Sequence, residues 1–300
     1  MIRSLISGFG GDSEYWSLIS PQFTTAGLDD IAYGKGLFVT AHSLEHIYTS
    51  PDGVNWIRRE QAVYVGNNNA NTITYGNGLF VMAGQDNVTP NINMRTSPDG
   101  ITWTNRTSSF GTDIVITDIT YGNGLFVAVG SSGKLATSTS GTSWTQRTSS
   151  FGVTLITGVA YGNGVYVAVG GGGKVATSPT GTTWTQRTPI FDGSSISDIT
   201  YGNGLFVAVG SSGKMAISSD GINWSLVTSS FGTTTIKDVK YLNGQFVALG
   251  DSGKLATSTD GINWVQKATG FGTSNINGVA YGNGIYVAVG SYGKVATYSE

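Results

Sequence analysis

The sequence predicts an all-β fold: a seven-bladed β-propeller of four-stranded antiparallel blades, its ring closed by an N-terminal strand that completes the last blade. Three observations predict it. Glycine makes up 45 of 300 residues, about twice the usual share, while charged residues are 11%, under half of the usual quarter. Seven tryptophans, Trp16, Trp56, Trp103, Trp144, Trp184, Trp224 and Trp264, recur at intervals of 40, 47, 41, 40, 40 and 40 residues. Seven tyrosines, Tyr33, Tyr75, Tyr121, Tyr161, Tyr201, Tyr241 and Tyr281, follow them in step, at a distance of 17 residues in five of seven units. A repeat of roughly 40 residues with four short strands is the period of a propeller blade.

Residues 114–151 show why each unit forms strands. The run IVITDITYG is followed by Asn123-Gly124, a pair that accepts positive φ at both central positions of a tight hairpin, and then by LFVAVG. A second turn at Ser131 to Gly133 leads into KLATSTS. The third turn has the pattern Ser-x-Asp-Gly-x-x-Trp, as in Ser50 to Trp56, Ser97 to Trp103, Ser218 to Trp224 and Ser258 to Trp264. Its short polar side chains can hold neighbouring amides. Such a sheet carries apolar residues on both faces and must pack against a neighbour on each side, which radial repetition provides. The predicted blades span about 28–63, 71–110, 114–151, 156–191, 196–231, 236–271, and 276–300 with 12–23, one propeller domain in all. The last unit has no tryptophan after its third strand. Trp16 supplies it, because Trp16 to Phe23 repeats the spacing of Trp144 to Phe151 and Trp264 to Phe271.

The third-turn motif resembles the Asp-box, or bacterial neuraminidase repeat, of sialidase-type and photosynthetic assembly-factor propellers, with a spacing one residue shorter. The resemblance spans essentially the whole chain. It implies a structural turn, with the family aspartate at Asp52, Asp99, Asp220 and Asp260. Ser140 and Thr180 replace it in two blades, and the closing blade has Asp12 followed by Ser13. A sialidase of this family would bring three arginines, a tyrosine nucleophile with its glutamate, and an aspartate acid, a set that this sequence does not match.

Composition excludes several classes. A formal charge of −2, a pI near 5.7 and no basic block leave no electrostatic footprint for nucleic acid. No apolar run reaches the roughly 18 residues of a membrane span, and the first residues do not read as a secretory signal. Two histidines without a carboxylate cluster predict no metal site, and no cofactor is expected. Setting aside aspartates that recur with the repeat, five in the third turn and Asp30, Asp118, Asp198 and Asp238 three residues before the tyrosine, no carboxylate pair shows a spacing that demands acid and base chemistry. The arginines Arg59, Arg106, Arg147 and Arg187, each three residues after a tryptophan, read as charge on an exposed outer strand that discourages edge pairing.

Two features could bind a ligand. Lys134, Lys174, Lys214, Lys254 and Lys294 follow the second turn and form a ring on the face that carries the blade connections. They read either as a polyvalent surface or as turn-solvating lysines paired with aspartates such as Asp118. Blades one and two break the symmetry, with His42, Glu45, His46, Arg58, Asp86 and Arg95 around an insertion in 85–93, and polar loops on a rigid scaffold are common binding places. The expected function is a non-catalytic binding or structural propeller, exposed in a virion or cell-surface assembly such as a phage tail or adhesion component and contacting protein or glycan. A multivalent carbohydrate-binding lectin with equivalent pockets is the alternative, and an Asp-box glycoside hydrolase the third.

Overall fold

The computed structural model describes residues 15–19, 27–42, 46–59, 69–85 and 93–299. Seven four-stranded antiparallel sheets lie in it, each running from an inner to an outer strand in chain order, except the last. Blade three is representative, with strands Ile116–Gly122, Leu125–Gly130, Lys134–Ser138 and Thr145–Thr148. In blade seven the strands Ile276–Gly282, Ile285–Gly290 and Val295–Ser299 are completed by Ser17–Ile19, with Ser17 opposite Thr297 and Ile19 opposite Val295. The predicted propeller and its N-terminal closure are therefore both present.

The local chemistry is as the repeat implies. Asn123 and Gly124 take φ of +48° and +76°, which lets the first hairpin match the twist of its strands. In the third turn of blade five, Asp220 Oδ1 accepts from the amides of Ile222 and Asn223 at 2.8 Å, and Ser218 Oγ donates to the same oxygen. These backbone bonds, the Asn223 amide first, hold the Asp220 carboxyl well below its ordinary range, so the turn is built for the ionised form. The Trp224 indole N–H closes the loop on the carbonyl of Gly221.

Each core cluster spans two blades. Val127, Val129 and Leu135 of blade three pack with Ile156, Val159, Tyr166 and Trp184 of blade four, and Phe151 from the connection seals them. Leu28, Phe38 and Trp56 of blade one meet Val287, Val289 and Val295 of blade seven in the same way, so the ring has no open apolar face there.

Every inner hairpin carries one register shift, at Asp29, Asn71, Thr117, Thr157, Ser197, Lys237 and Asn277. A β-bulge lets two consecutive residues turn to the same side, and here that side is the ring axis.

Candidate functional site

The bulges place fourteen consecutive-pair positions around the axis, and the aspartates that sequence reasoning set aside as repetitive converge there. A cavity of about 160 Å³ is lined by Asp29, Asp30, Asp118, Asp198, Asp238 and Lys240 among others. A second, of about 220 Å³, lies on the Asn-Gly side of the same layer and shares Asp30, Asp118 and Lys240. Asp30, Asp118 and Lys240 thus lie between the two cavities.

Most of this charge is committed. Asp30 accepts from its neighbour Ile31 at 2.8 Å and from the Ile73 amide of the next blade at 2.9 Å. Asp118 bridges Ile119 and Val159 at 2.8 Å each. Asp198 accepts from Val239 at 3.1 Å. These carboxylates stitch blade one to two, three to four and five to six. Asp238 breaks the series: its Oδ1 takes the Lys240 ammonium at 2.8 Å, and its buried Oδ2 has no hydrogen-bond partner among the described residues. Lys240 also reaches Asp198 at 3.3 Å. Burial pushes the carboxyls of Asp29 and Asp118 up to about 7, with neighbouring Asp30 and Asp198 adding to it. Burial opposes the charge on Lys240 as well, but Asp198, Asp238, Asp118 and Asp30 overcome it and hold its pKa well above normal. Lys240 is thus a permanent internal counter-ion.

The lysine ring meets other partners than expected. Lys174, Lys214, Lys254 and Lys294 donate to the carbonyls of Phe151, Phe191, Phe231 and Phe271, at 2.8 to 3.1 Å. Each lysine latches the connection from the preceding blade. Asp118, the carboxylate expected to pair with them, faces the axis instead, because the bulge turns it inward. Lys134 stands in the equivalent place, and its Nζ lies 3.0 Å from the Gln146 side-chain amide, whose oxygen accepts from it once the amide is oriented to satisfy both of its neighbours. The outer-strand arginines are likewise engaged: Nε of Arg59, Arg106, Arg147 and Arg187 donates to the hydroxyls of Thr49, Thr96, Thr137 and Thr177.

In blades one and two, His42 and Arg95 do not project from loops. They occupy strand positions, paired with Leu28 and Met82, and only 2% of each is exposed. Burial, then the neighbouring His46 ring 6.1 Å away, lowers the His42 pKa to about 4. Arg58 is exposed on the outer strand, and Glu45 and Asp86 lie outside the described residues. The structure brings the two histidines together with Tyr48, and Arg58 stands directly opposite Tyr48 on the outer strand.

A third cavity, of about 210 Å³, opens at the rim between blades six and seven. It is lined by Gln245, Val247, Thr257 and Lys267 on one side and Trp16, Tyr286 and Tyr298 on the other. Nothing in the initial reading singled it out, although the signal is in the sequence. Where other blades read Tyr-Gly-Asn-Gly with Leu, Val or Ile next (Tyr33-Gly-Lys-Gly in the first), blade six reads Tyr241-Leu-Asn-Gly-Gln245.

Fold and site together define a seven-bladed propeller with a charge-filled axis and one irregular seam. Residues 50–195, just under half of the chain, match the DUF6242 beta propeller domain. No curated protein matches the chain. Among solved structures it is similar to YCF48 bound to D1 peptide (18% identity, 96% of each chain covered, TM-score 0.75). It is also similar to virginiamycin B lyase from Staphylococcus aureus (10% identity, 95% of this chain and 99% of that one, TM-score 0.81). The WD40 beta propeller domain of Doa1 is a third (12% identity, 95% and 97%, TM-score 0.73). At these identities the likeness carries the fold alone. The resemblance to the Asp-box family is supported only as far as the propeller architecture.

Proposed function

We propose that this chain is a non-catalytic binding propeller that docks on a protein partner as an exposed part of a larger assembly. The observation that carries the reading is the state of the polar groups a hydrolase would use. The axial carboxylates Asp30, Asp118, Asp198 and Asp238 are bonded to backbone amides or to Lys240, and the outer-strand arginines Arg59, Arg106, Arg147 and Arg187 are bonded to threonines of their own blades. Catalysis needs an acid, a base or nucleophile and a stabiliser converging on one reacting atom. Asp29, whose carboxyl burial raises to about 7, shares the cavity with Asp30, Asp118, Asp198 and Asp238 and with lysine, hydroxyl and amide groups, and each of those four carboxylates is already bonded to a backbone amide or to Lys240.

A protein partner is preferred to a sugar for a related reason. A lectin with equivalent pockets needs exposed aromatic platforms on several blades. Six of the tryptophans donate their indole N–H to a turn glycine of the same blade, at 2.9 to 3.2 Å, and pack into the core. Low charge and abundant glycine, serine and threonine support the virion or cell-surface setting.

Cross-linking mass spectrometry of the native assembly, run beside a glycan array and a fluorogenic sialoside assay of the purified chain, tests this. The expected result is a reproducible set of cross-links to one protein, with a blank array and no hydrolysis. Sugar binding or turnover without any protein contact would overturn it.

A further inference from the structure

The axial layer carries more negative charge than its own cations answer. Five carboxylates, those of Asp29, Asp30, Asp118, Asp198 and Asp238, line the cavity of about 160 Å³ with two lysines, Lys237 and Lys240. Lys240 is held by Asp198 and Asp238, and Lys237 pairs with Asp251, which is not among the lining residues, at 3.0 Å. Two carboxylate oxygens are left over. Asp238 is 7% exposed and lines the cavity, and its Oδ2 has no hydrogen-bond partner among the described residues. The Asp198 carboxylate stands beside it and adds repulsion unless a positive charge comes between them. Asp29 Oδ2 is likewise buried and without a partner among the described residues. A buried carboxylate oxygen is costly unless a donor or a cation meets it.

The neutral groups of the cavity lead to the same requirement. Thr117 and Thr157 give their hydroxyl protons to the carbonyls of Ile156 and Ile196, at 2.6 and 2.8 Å. Asn71 and Asn277 give an amide N–H to the carbonyls of Ile116 and Leu28, at 3.3 and 2.9 Å. Each of these bonds runs to the next blade around the ring, so the seams consume the donors. What remains on these side chains is chiefly acceptor oxygen. The sequence expectation of no metal site rested on the lack of a carboxylate cluster, and ring closure supplies that cluster.

We propose that the axial cavity binds a hydrated divalent cation, with Asp238 Oδ2 and Asp29 Oδ2 as its charged ligands. The available ligand atoms are oxygens, which suits a hard ion. Among the described residues no three histidine or acidic side chains converge as a direct ligand set, so water completes the shell. The cavity has room for an ion with several waters. Magnesium-type ions bind in this manner, through one or two carboxylates with much of their water retained. The ion ties blade six to blade one across the closing blade, where Asp238 turns to Lys240 instead of bridging to an amide as Asp30 and Asp118 do.

The test titrates the full chain with Mn²⁺ at constant ionic strength and follows the relaxation of water protons. One saturable site with a dissociation constant of about 0.1 to 1 mM is expected, with the enhanced relaxation that water on a protein-bound ion gives. Mg²⁺ should displace the Mn²⁺, and spermidine should not. At about ten times its dissociation constant, Mg²⁺ should raise the melting temperature by about 2 °C. Asp238→Asn and Asp29→Asn should each weaken binding at least about tenfold. Asp192→Asn, on an exposed connection whose φ of +48° suits asparagine equally, should leave it unchanged. Lys240→Met removes a competing positive charge and should tighten binding about fivefold, opposite in sign to its effect on stability. In the unaltered protein, Mn²⁺ should broaden the amide signals of Ile73 and Val239, at the axis, before the indole signal of Trp224. No saturable enhancement at about ten times the expected dissociation constant would overturn the proposal. So would equal binding by Asp238→Asn, or broadening that spares Ile73 and Val239. Displacement by spermidine and not by Mg²⁺ would also overturn it and give the cavity to an ammonium group.

Discussion

The seam between blades three and four and the seam between blades six and seven are built from the same repeat and end differently. In the first, Gly122 lies against the Tyr161 ring at the axis end, Asp118 bridges to Val159, and Gly181 fills the rim. In the second, Leu242 stands in place of the glycine and packs with Tyr281, Asp238 turns to Lys240, and the rim is a cavity. All three layers change together. The difference teaches that a ring of near-identical blades concentrates its individuality beside the blade shared between the N-terminal strand and the last three strands, where Leu242, Gln245 and Tyr298 each leave their column of the repeat.

Removing the closing strand should break the comparison most severely. Deletion of residues 1–23 takes away buried Trp16 and the edge pairing of Ser17–Ile19, and loss of a buried aromatic alone costs about 3–5 kcal/mol. A fall of ~10 °C in melting temperature is expected by calorimetry, and an unchanged melting temperature would refute the closure.

Lys240→Met addresses the axis end. It leaves Asp198 and Asp238 without their cation, and about 2–3 kcal/mol should be lost in a urea titration, at the low end for buried pairs because a third of the Lys240 side chain faces the channel. The loss should be larger at pH 8 than at pH 5. The carboxyls of Asp29 and Asp118 are raised to about 7, so the fold holds protons that the unfolded chain has released, and their contribution is fully present below about pH 4 and lost as pH rises towards 7. The turn carboxyls of Asp52, Asp220 and Asp260 are depressed by their amide bonds, so their contribution is present above about pH 4 and lost as pH falls below it. Stability of the unaltered protein should therefore peak on the acid side of neutrality, and Asp118→Asn should flatten the slope between pH 5 and 7. A maximum at pH 8 would contradict this.

At a filled rim, Gly181→Ala forces a Cβ into Leu125 at a φ of +75°, for a cost of about 2 kcal/mol. The smallest effect is at a tryptophan. Trp264→Phe leaves the Gly261 carbonyl without its donor and should cost about 1 kcal/mol by the same measurement.

The fold was legible because every determinant repeats: Asn-Gly at the first hairpin, Asp-Gly at the third turn, and Trp16 standing at the distance from Phe23 that the other blades keep. The axial cluster was not, and the reason is geometric. Subtracting Asp30, Asp118, Asp198 and Asp238 as repetitive assumes that repeated residues stay apart, yet in a closed ring inner-strand residues converge on one point. The bulges that turn them inward have no sequence signature at Thr117 or Ser197. Conversely, His42 and Arg95 looked like loop residues because they flank irregular stretches, while their own positions belong to paired strands. The rim cavity was readable in principle from Leu242, Gln245 and Tyr298, each a departure from its column of the repeat.

The most direct measurement is hydrogen exchange of the seven indole N–H groups in the ¹⁵N-tryptophan protein at neutral pH. The indoles of Trp56, Trp103, Trp144, Trp184, Trp224 and Trp264, each bonded to the turn glycine of its own blade, predict six protected signals that exchange together as the ring unfolds. Fast and separate exchange of these six signals in the unaltered protein would contradict the account.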